Sequence, residues 1–275
     1  MPFVSAPDGV ALHYAVTGQG PTLVLVHGWT MNGRFFDANV AALSTDFTVI
    51  TVDSRGHGFS GRDLVHLTME QLGDDLDTVL KALDVSNAVL VGWSLGMSTV
   101  YNYVQRHGLG RVAGLVSVDM TAKVLVAEDW EHGLFGTLTA EDSLAVMRQM
   151  TLDRQGLAAG LIPSMFASGS SPSEADLAWW TDQSLNVPDL TALALWVSAT
   201  SQDFRQLIAQ IDVPILFAHG LRSQLYPTPM WETMTQVAKD GRAALFDSGH
   251  APFWEQPEAF NEALSSFATE VTALR

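Results

Sequence analysis

The chain has 275 residues, 47% of them hydrophobic, so it can bury a large core and does not have the composition of a disordered chain. Asp and Glu number 30 against 14 for Lys and Arg, and the resulting formal charge of -16 disfavours binding to nucleic acid or to an anionic membrane surface. The absence of cysteine excludes disulfides, thiolate metal sites and cysteine nucleophiles.

The amino-terminal residues 1–9 contain neither a basic patch nor a long apolar run, and they therefore do not resemble a signal peptide. No segment approaches the ~20 apolar residues that a membrane-spanning helix requires. We therefore expect a cytoplasmic protein with no membrane partner.

Short apolar runs alternate with helical patterns, which indicates an α/β fold: a mostly parallel central sheet with helices on both faces. An alternating pattern after an Asp-Gly turn predicts an antiparallel strand at residues 10–16. Nearly continuous apolar runs predict buried strands at 23–26, 47–52, 88–91, 112–118 and 214–218, with a shorter candidate at 243–246. Helices are predicted at 35–43, 69–83, 95–106, 230–238 and 257–271.

The alternation stops after Met120 and resumes near Asp212. This stretch contains helical patterns at 140–150, 173–184 and 190–204 and no convincing strand. An insertion on the carboxyl side of a parallel sheet covers the edge where ligands bind. We therefore predict a core made of residues 1–120 and 206–275 and a helical cap of residues 121–205.

The sequence Gly92-Trp93-Ser94-Leu95-Gly96 directly follows the apolar run 88–91. A serine at such a strand-to-helix turn adopts a strained backbone conformation, and flanking glycines remove side chains that would clash there. The pattern predicts a nucleophile at Ser94. Because G-x-S-x-G also occurs by chance, a turn without chemistry is the alternative.

A second motif, His27-Gly28-Trp29, ends the predicted strand at 23–26. Attack on a carbonyl puts negative charge on its oxygen, and a loop after an early strand can supply one backbone N–H to that oxygen. The residue after the nucleophile supplies the other. We expect the oxyanion donors to be the N–H groups of Trp29 and Leu95.

A third motif, Gly249-His250, lies between the last predicted strand and the last helix. A serine hydroxyl is a poor nucleophile at neutral pH and requires a base within hydrogen-bond reach, usually an imidazole. His250 is the candidate base, since it follows Ser94 in the chain order that this architecture uses.

With these motifs in order, the chain resembles the α/β-hydrolase superfamily, in particular its small capped esterases, lactonases and cofactor-free haloperoxidases. The resemblance rests on His27-Gly28-Trp29, the segment Asp53-Ser54-Arg55-Gly56-His57-Gly58-Phe59-Ser60, Gly92-Trp93-Ser94-Leu95-Gly96 and Gly249-His250. It implies Ser94 as nucleophile, His250 as base and Trp29 and Leu95 as oxyanion donors, with no cofactor and no metal.

The chain departs from the family pattern at the acid of the triad. Most members have an aspartate three residues after a glycine that follows the penultimate strand, and here this position is Ser223. Serine cannot stabilise an imidazolium as a carboxylate does. We predict that Asp119 is the acid, at the end of another strand, as in some members of the superfamily. Two alternatives remain: Asp119 only caps a turn, or Asp247 supplies the carboxylate.

Three residues beside these motifs are expected to contact the substrate. Trp93 precedes Ser94, and His27 precedes the oxyanion loop. Met97 stands where many relatives have a smaller residue, so it is expected to narrow the acyl side of the pocket.

The sequence thus predicts a serine hydrolase that cleaves carboxylic esters or lactones of fairly apolar small molecules. One alternative is a cofactor-free perhydrolase, in which peroxide replaces water on the acyl-enzyme. Another is a ligand-sensing protein without catalysis, for which Ser223 at the usual acid position would be the first sign of decay. The expected partner is the small-molecule ester or lactone, and a homodimer is left open.

Overall fold

The structure is a computed structural model that describes residues 2–226 and 229–274. The strands in chain order are β1 (Phe3–Ser5), β2 (Ala11–Thr17), β3 (Thr22–Val26), β4 (Thr48–Val52), β5 (Ala88–Trp93), β6 (Val112–Val118), β7 (Ile215–Gly220) and β8 (Gly241–Phe246). They form one eight-stranded sheet in the order β1-β2-β4-β3-β5-β6-β7-β8. The pairs β1/β2 and β2/β4 are antiparallel, and all the other pairs are parallel.

The helices in chain order are α1 (Asp37–Leu43), α2 (Met69–Ala82), α3 (Leu95–His107), α4 (Ala140–Leu152), α5 (Arg154–Leu161), α6 (Glu174–Leu185), α7 (Asp189–Thr200), α8 (Arg205–Ile208), α9 (Met230–Val237), α10 (Pro252–Glu255) and α11 (Pro257–Ala273). Several of them begin at residues that suit a helix start. The hydroxyls of Thr68, Thr139 and Ser173 each accept a hydrogen bond from a backbone N–H in the first turn of α2, α4 and α6.

The core lies on both faces of the central strands. Every residue of β5 and of β6 is buried, which explains why their sequences are continuous apolar runs. Strand β2, near the edge of the sheet, is only partly buried. The predicted α/β fold and all seven predicted strands are confirmed.

The structure adds elements that the sequence patterns did not predict. Strand β1 has only three residues, too few to show a pattern. Helix α5 contains two glycines, which lower helix propensity, and it is started by Asp153, whose carboxylate accepts a hydrogen bond from the N–H of Gly156. The helix predicted at 190–204 ends at Thr200.

The parallel register brings the carboxyl ends of four strands together. Val26 pairs with Gly92, Gly92 with Ser117, and Val118 with Ala218. The loops after β3, β5, β6 and β7 therefore leave the sheet at the same edge, which is where ligands bind in parallel sheets.

Residues 121–211, here called the helical insertion, lie between β6 and β7 and contain α4 to α8. The insertion contacts the loop after β3: the indole N–H of Trp29 donates to the carbonyl of Ala192 at 2.9 Å, and the Asn32 amide donates to the side chain of Gln183 at 2.9 Å. The predicted division into a core and a cap of residues 121–205 remains a prediction. In the described part of the chain, no helix is long and apolar enough to cross a bilayer.

Candidate active site

Ser94 stands at the turn between β5 and α3 with φ 53° and ψ −130°, a conformation that residues with a side chain rarely adopt. A Cβ added at Gly92 would lie 2.4 Å from the Cα of Met97, and one added at Gly96 would lie 2.3 Å from the carbonyl oxygen of Val26. Both distances are too short for any side chain. The two glycines of the motif are therefore required by the close packing of α3 against β5 and β3.

His250 lies in the loop between β8 and α10 and is 1% exposed. Its backbone is held on both sides: its N–H donates to the carbonyl of Met165 at 2.9 Å, and its carbonyl accepts from the indole N–H of Trp93 at 2.9 Å. Its Nδ1 is 2.7 Å from Oδ2 of Asp119. Its Nε2 is buried and has no hydrogen-bond partner among the described residues.

Asp119 follows β6 with φ 44° and is 1% exposed. Its backbone N–H donates to the carbonyl of Ala218 at 2.8 Å, which fixes it beside β7. Burial alone would raise the pKa of Asp119, but contacts with His219 and His250 outweigh burial and hold this pKa well below its usual range. The carboxylate is therefore ionised at neutral pH.

Four groups surround the two oxygens of the Asp119 carboxylate. The hydroxyl of Ser223 donates to Oδ2 at 2.7 Å, beside the contact from His250. Oδ1 accepts a long hydrogen bond of 3.4 Å from the N–H of Gly220, and Nδ1 of His219 lies 2.6 Å from it. Ser223, at the usual position of the family's acid, thus contacts the carboxylate from the neighbouring strand end.

Asp247 lies apart from this arrangement. Its side chain is 72% exposed, and its carboxylate pairs with Arg222 at 2.6 Å. The structure therefore brings Asp119, and not Asp247, against His250.

Ser94 and His250 line the same cavity, which has a volume of about 350 Å³. The loops after β3 and β5 form one side, and the helical insertion forms the other. The side chains are mostly apolar, and none belongs to Asp, Glu, Lys or Arg. The lining residues are Gly28, Trp29, Met31, Trp93, Ser94, Leu95, Val124, Leu134, Phe135, Val146, Gln149, Gly156, Leu157, Gly160, Leu161, Ser164, Met165, Trp196, Ala199, Thr200, Leu225, Tyr226 and His250.

The predicted oxyanion donors both lie at this cavity. Leu95 is the first residue of α3, so its N–H has no acceptor within the helix and lies at the positive end of the helix dipole. Trp29 follows Gly28, and a Cβ on Gly28 would lie 3.2 Å from the Cβ of Ser94. The loop that carries Trp29 therefore passes directly beside Ser94. The role of the two N–H groups remains a prediction.

Of the three predicted substrate contacts, only Trp93 lines the cavity. Met97 is fully buried and packs in the core beneath the turn. Nε2 of His27 accepts from the N–H of Ser54 at 3.0 Å, so its Nδ1 carries the hydrogen and donates to the carbonyl of Gly28 at 2.8 Å. Burial lowers the pKa of His27, which keeps it neutral. The structure thus gives no support to substrate contacts by His27 and Met97; His27 instead ties two loops together.

Sequence reasoning missed Glu255, which joins the helical insertion to the loop of His250. One carboxylate oxygen accepts the N–H of Ala167 at 3.0 Å, and the other accepts the N–H of Gly249 at 2.6 Å. No local motif marks a glutamate for such a contact, because its partners are set by the fold.

In residues 2–226 and 229–274, no group of three or more His, Cys, Asp or Glu is arranged to hold a metal ion. The groups that the structure brings together at and behind the cavity are the Ser94 hydroxyl, the His250 imidazole and the Asp119 carboxylate.

The chain was compared with known proteins. A family model described as alpha/beta hydrolase fold matches residues 21–257. A pimeloyl-[acyl-carrier protein] methyl ester esterase from Vibrio cholerae is 33% identical over 94% of this chain and 99% of its own length. A non-heme haloperoxidase from Rhodococcus erythropolis is 28% identical over 97% and 99%. An esterase from Exiguobacterium antarcticum, 24% identical, shares the fold with a TM-score of 0.91 over 97% of this chain and 98% of its own. The chain belongs to the α/β-hydrolase fold family.

Proposed function

We propose that the protein is a carboxylic ester hydrolase that forms an acyl-enzyme on Ser94. The observation that carries this proposal is the position of His250 between the cavity and a buried, ionised carboxylate. Its Nδ1 contacts Asp119 at 2.7 Å, while its Nε2 is free of protein partners in the described residues. This leaves Nε2 available to take a proton from a nucleophile at the same cavity.

In the proposed reaction, Oγ of Ser94 attacks the ester carbonyl carbon while its proton passes to Nε2 of His250. Asp119 keeps the hydrogen of the neutral ring on Nδ1 and stabilises the imidazolium that forms. The N–H groups of Trp29 and Leu95 hold the negative oxygen. The C–O bond to the alcohol breaks, and the imidazolium returns its proton to the leaving oxygen.

Water then completes the cycle. His250 removes a proton from the water as its oxygen attacks the acyl carbon, and the bond to Oγ of Ser94 breaks. The proton returns to Oγ, and the carboxylic acid leaves. A lactone would follow the same steps and open to a hydroxy acid.

The size and polarity of the cavity indicate the substrate. A cavity of about 350 Å³ is at the lower end of the range for small-molecule sites, which favours a compact substrate. The absence of charged side chains among the lining residues favours an uncharged acyl group. The helical insertion contains eleven Asp and Glu against four Lys and Arg, so a negatively charged substrate would be repelled on approach. We infer a neutral, largely apolar ester or lactone.

Initial hydrolysis rates on p-nitrophenyl esters of increasing acyl length, and on several lactones, test the proposal. We expect the rate to rise until the acyl group fills the cavity and then to fall. Ser94→Ala should abolish turnover, and Ser98→Ala should retain it, because Ser98 lies on the same helix but away from the cavity. A fluorophosphonate should add its mass to the wild type and not to Ser94→Ala.

A wild type that is as inactive as Ser94→Ala and unlabelled by the fluorophosphonate would contradict the proposal. It would favour the ligand-sensing alternative. Ser223 at the usual acid position does not favour that alternative. Its hydroxyl donates to Asp119, whose carboxylate can take the place of the family's aspartate.

Perhydrolysis is the second candidate, because a relative of 28% identity is named a haloperoxidase. Hydrogen peroxide would then replace water on the acyl-enzyme and release a peracid. The test is to measure peracid formation against ester hydrolysis in the same reaction. Peracid formation that exceeds hydrolysis at millimolar peroxide would favour this candidate.

A further inference from the structure

The Asp119 carboxylate lies between two histidines, and the proposed reaction uses only one of them. His250 contacts Oδ2 and lines the cavity. His219, near the end of β7, lies against Oδ1 at 2.6 Å, is 2% exposed and does not line the cavity. A buried histidine in contact with a buried carboxylate therefore has no role in the proposed reaction.

The distance favours one tautomer of His219. A bare nitrogen lone pair 2.6 Å from a carboxylate oxygen would be repelled by the oxygen lone pairs, so Nδ1 carries a hydrogen. The ring is turned out of the line of a hydrogen bond, so that neither Nδ1 nor Nε2 has a hydrogen-bond partner in the described part of the chain, although Nδ1 stays 2.6 Å from Oδ1 of Asp119. Contact with Asp119 is thus the polar interaction that holds the ring.

We propose that His219 is a positioning residue for the triad carboxylate. Its Nδ1–H holds Oδ1, so that Oδ2 stays directed at His250, and it offsets part of the negative charge that stabilises protonated His250. The inference rests on the proposed function, since it assigns Asp119 as the acid of that reaction.

Among the described residues, few other ionisable groups lie around His219 and Asp119. Ser117 of β6 and Met230 and Trp231 of α9 pack near His219 and are uncharged. Tyr226 lies on the other side of His250, with ring centres 5.8 Å apart. Burial raises the pKa of Tyr226, so it stays neutral in the range of a pH profile. Removing His219 should therefore change the charge balance at Asp119 directly.

Two variants separate positioning from packing. His219→Asn keeps an N–H donor near Oδ1, whereas His219→Leu removes it. Without the donor, the carboxylate stabilises protonated His250 more strongly, so the acidic limb of the kcat/KM profile moves to higher pH, by about one unit. We expect His219→Leu to show this shift and a kcat at least tenfold lower, with KM unchanged because the residue does not line the cavity. His219→Asn should retain the wild-type limb.

The inference would be overturned if the acidic limb of the kcat/KM profile lay at the same pH in the wild type and in a folded His219→Leu. It would also be overturned if this limb moved by the same amount in His219→Leu and His219→Asn. A measurement on the wild-type protein does not depend on catalytic activity. Nitrogen NMR of ¹⁵N-histidine-labelled protein, with His219 assigned by loss of its signals in His219→Asn, should show His219 neutral with its hydrogen on Nδ1. A hydrogen on Nε2 alone would overturn the inference even if the protein hydrolyses esters.

Discussion

Ser223 and His250 donate to the same oxygen of Asp119, each across 2.7 Å. Ser223 is at the position where most of the family has its acid, and here its hydroxyl binds the carboxylate of Asp119. The pairing of Val118 with Ala218 sets the ends of β6 and β7 side by side, so a carboxylate from either strand end can reach the same ring nitrogen. In this chain the carboxylate follows β6 and the hydroxyl that donates to it follows β7.

Asp119→Asn should reduce kcat by about four orders of magnitude, because an amide neither stabilises the imidazolium nor fixes the productive tautomer. Asp247→Asn is the matched control, since Asp247 is exposed and pairs with Arg222. It should keep the wild-type kcat. Steady-state kinetics on one good ester decides the point: an Asp119→Asn enzyme within tenfold of the wild type would exclude Asp119 as the acid.

Moving the acid back to β7 should restore part of the lost activity. Asp119→Ser alone removes the carboxylate, and the double variant Asp119→Ser/Ser223→Asp supplies it from the adjacent strand end. Because Oγ of Ser223 already lies 2.7 Å from Oδ2 of Asp119, the new carboxylate needs little movement to reach His250. We expect kcat of the double variant to exceed that of Asp119→Ser at least tenfold. If the two enzymes are equally slow, the strand ends are not interchangeable.

Glu255→Gln should lower kcat about tenfold and also lower thermal stability. The carboxylate accepts two backbone N–H groups, whereas an amide can accept one and turns its own donor towards the other, which costs about 1–3 kcal/mol. The loop of His250 would then lose one of its two ties to the helical insertion. Glu258→Gln, exposed on α11, should behave as the wild type in both kinetics and thermal unfolding. A stable variant with full activity would show that the tie does not position His250.

The parts of the site that the sequence predicted are those governed by local backbone geometry. The turn at Ser94 could be predicted because it requires Gly92 and Gly96. A side chain at either position would collide with the backbone of the following helix or of the neighbouring strand. The placement of His250 at the same edge follows from the rule that parallel strands end together. The family's usual acid position holds Ser223, which cannot act as an acid. The register of β6 and β7 explains how the Asp119 carboxylate can reach His250 instead.

The parts that could not be predicted depend on contacts between distant positions. Glu255 and Ala167 lie 88 positions apart, and only the folded path of the helical insertion brings them together. His27 was expected to contact the substrate because it precedes the oxyanion loop, but both of its ring nitrogens form hydrogen bonds with the backbone of Ser54 and Gly28. Successive side chains at a strand end point in opposite directions. Two adjacent residues can therefore differ in role, with one lining the cavity and the other packing in the core.

The buried His57 should make stability depend on pH. Burial is the main cause that lowers the pKa of His57 from 6.5 to about 3, so between these values the unfolded chain binds a proton that the folded chain does not. The free energy of unfolding therefore falls as pH drops below about 6.5, by about 1.4 kcal/mol for one pH unit. Above pH 6.5 the protein has the full stabilisation that neutral His57 gives.

Urea unfolding at pH 7.5 and 5.5 measures this difference in the free energy of unfolding. His57→Gln cannot bind this proton and should show a loss on acidification that is smaller by about that amount. Equal losses in the wild type and His57→Gln would mean that His57 is protonated in the folded protein.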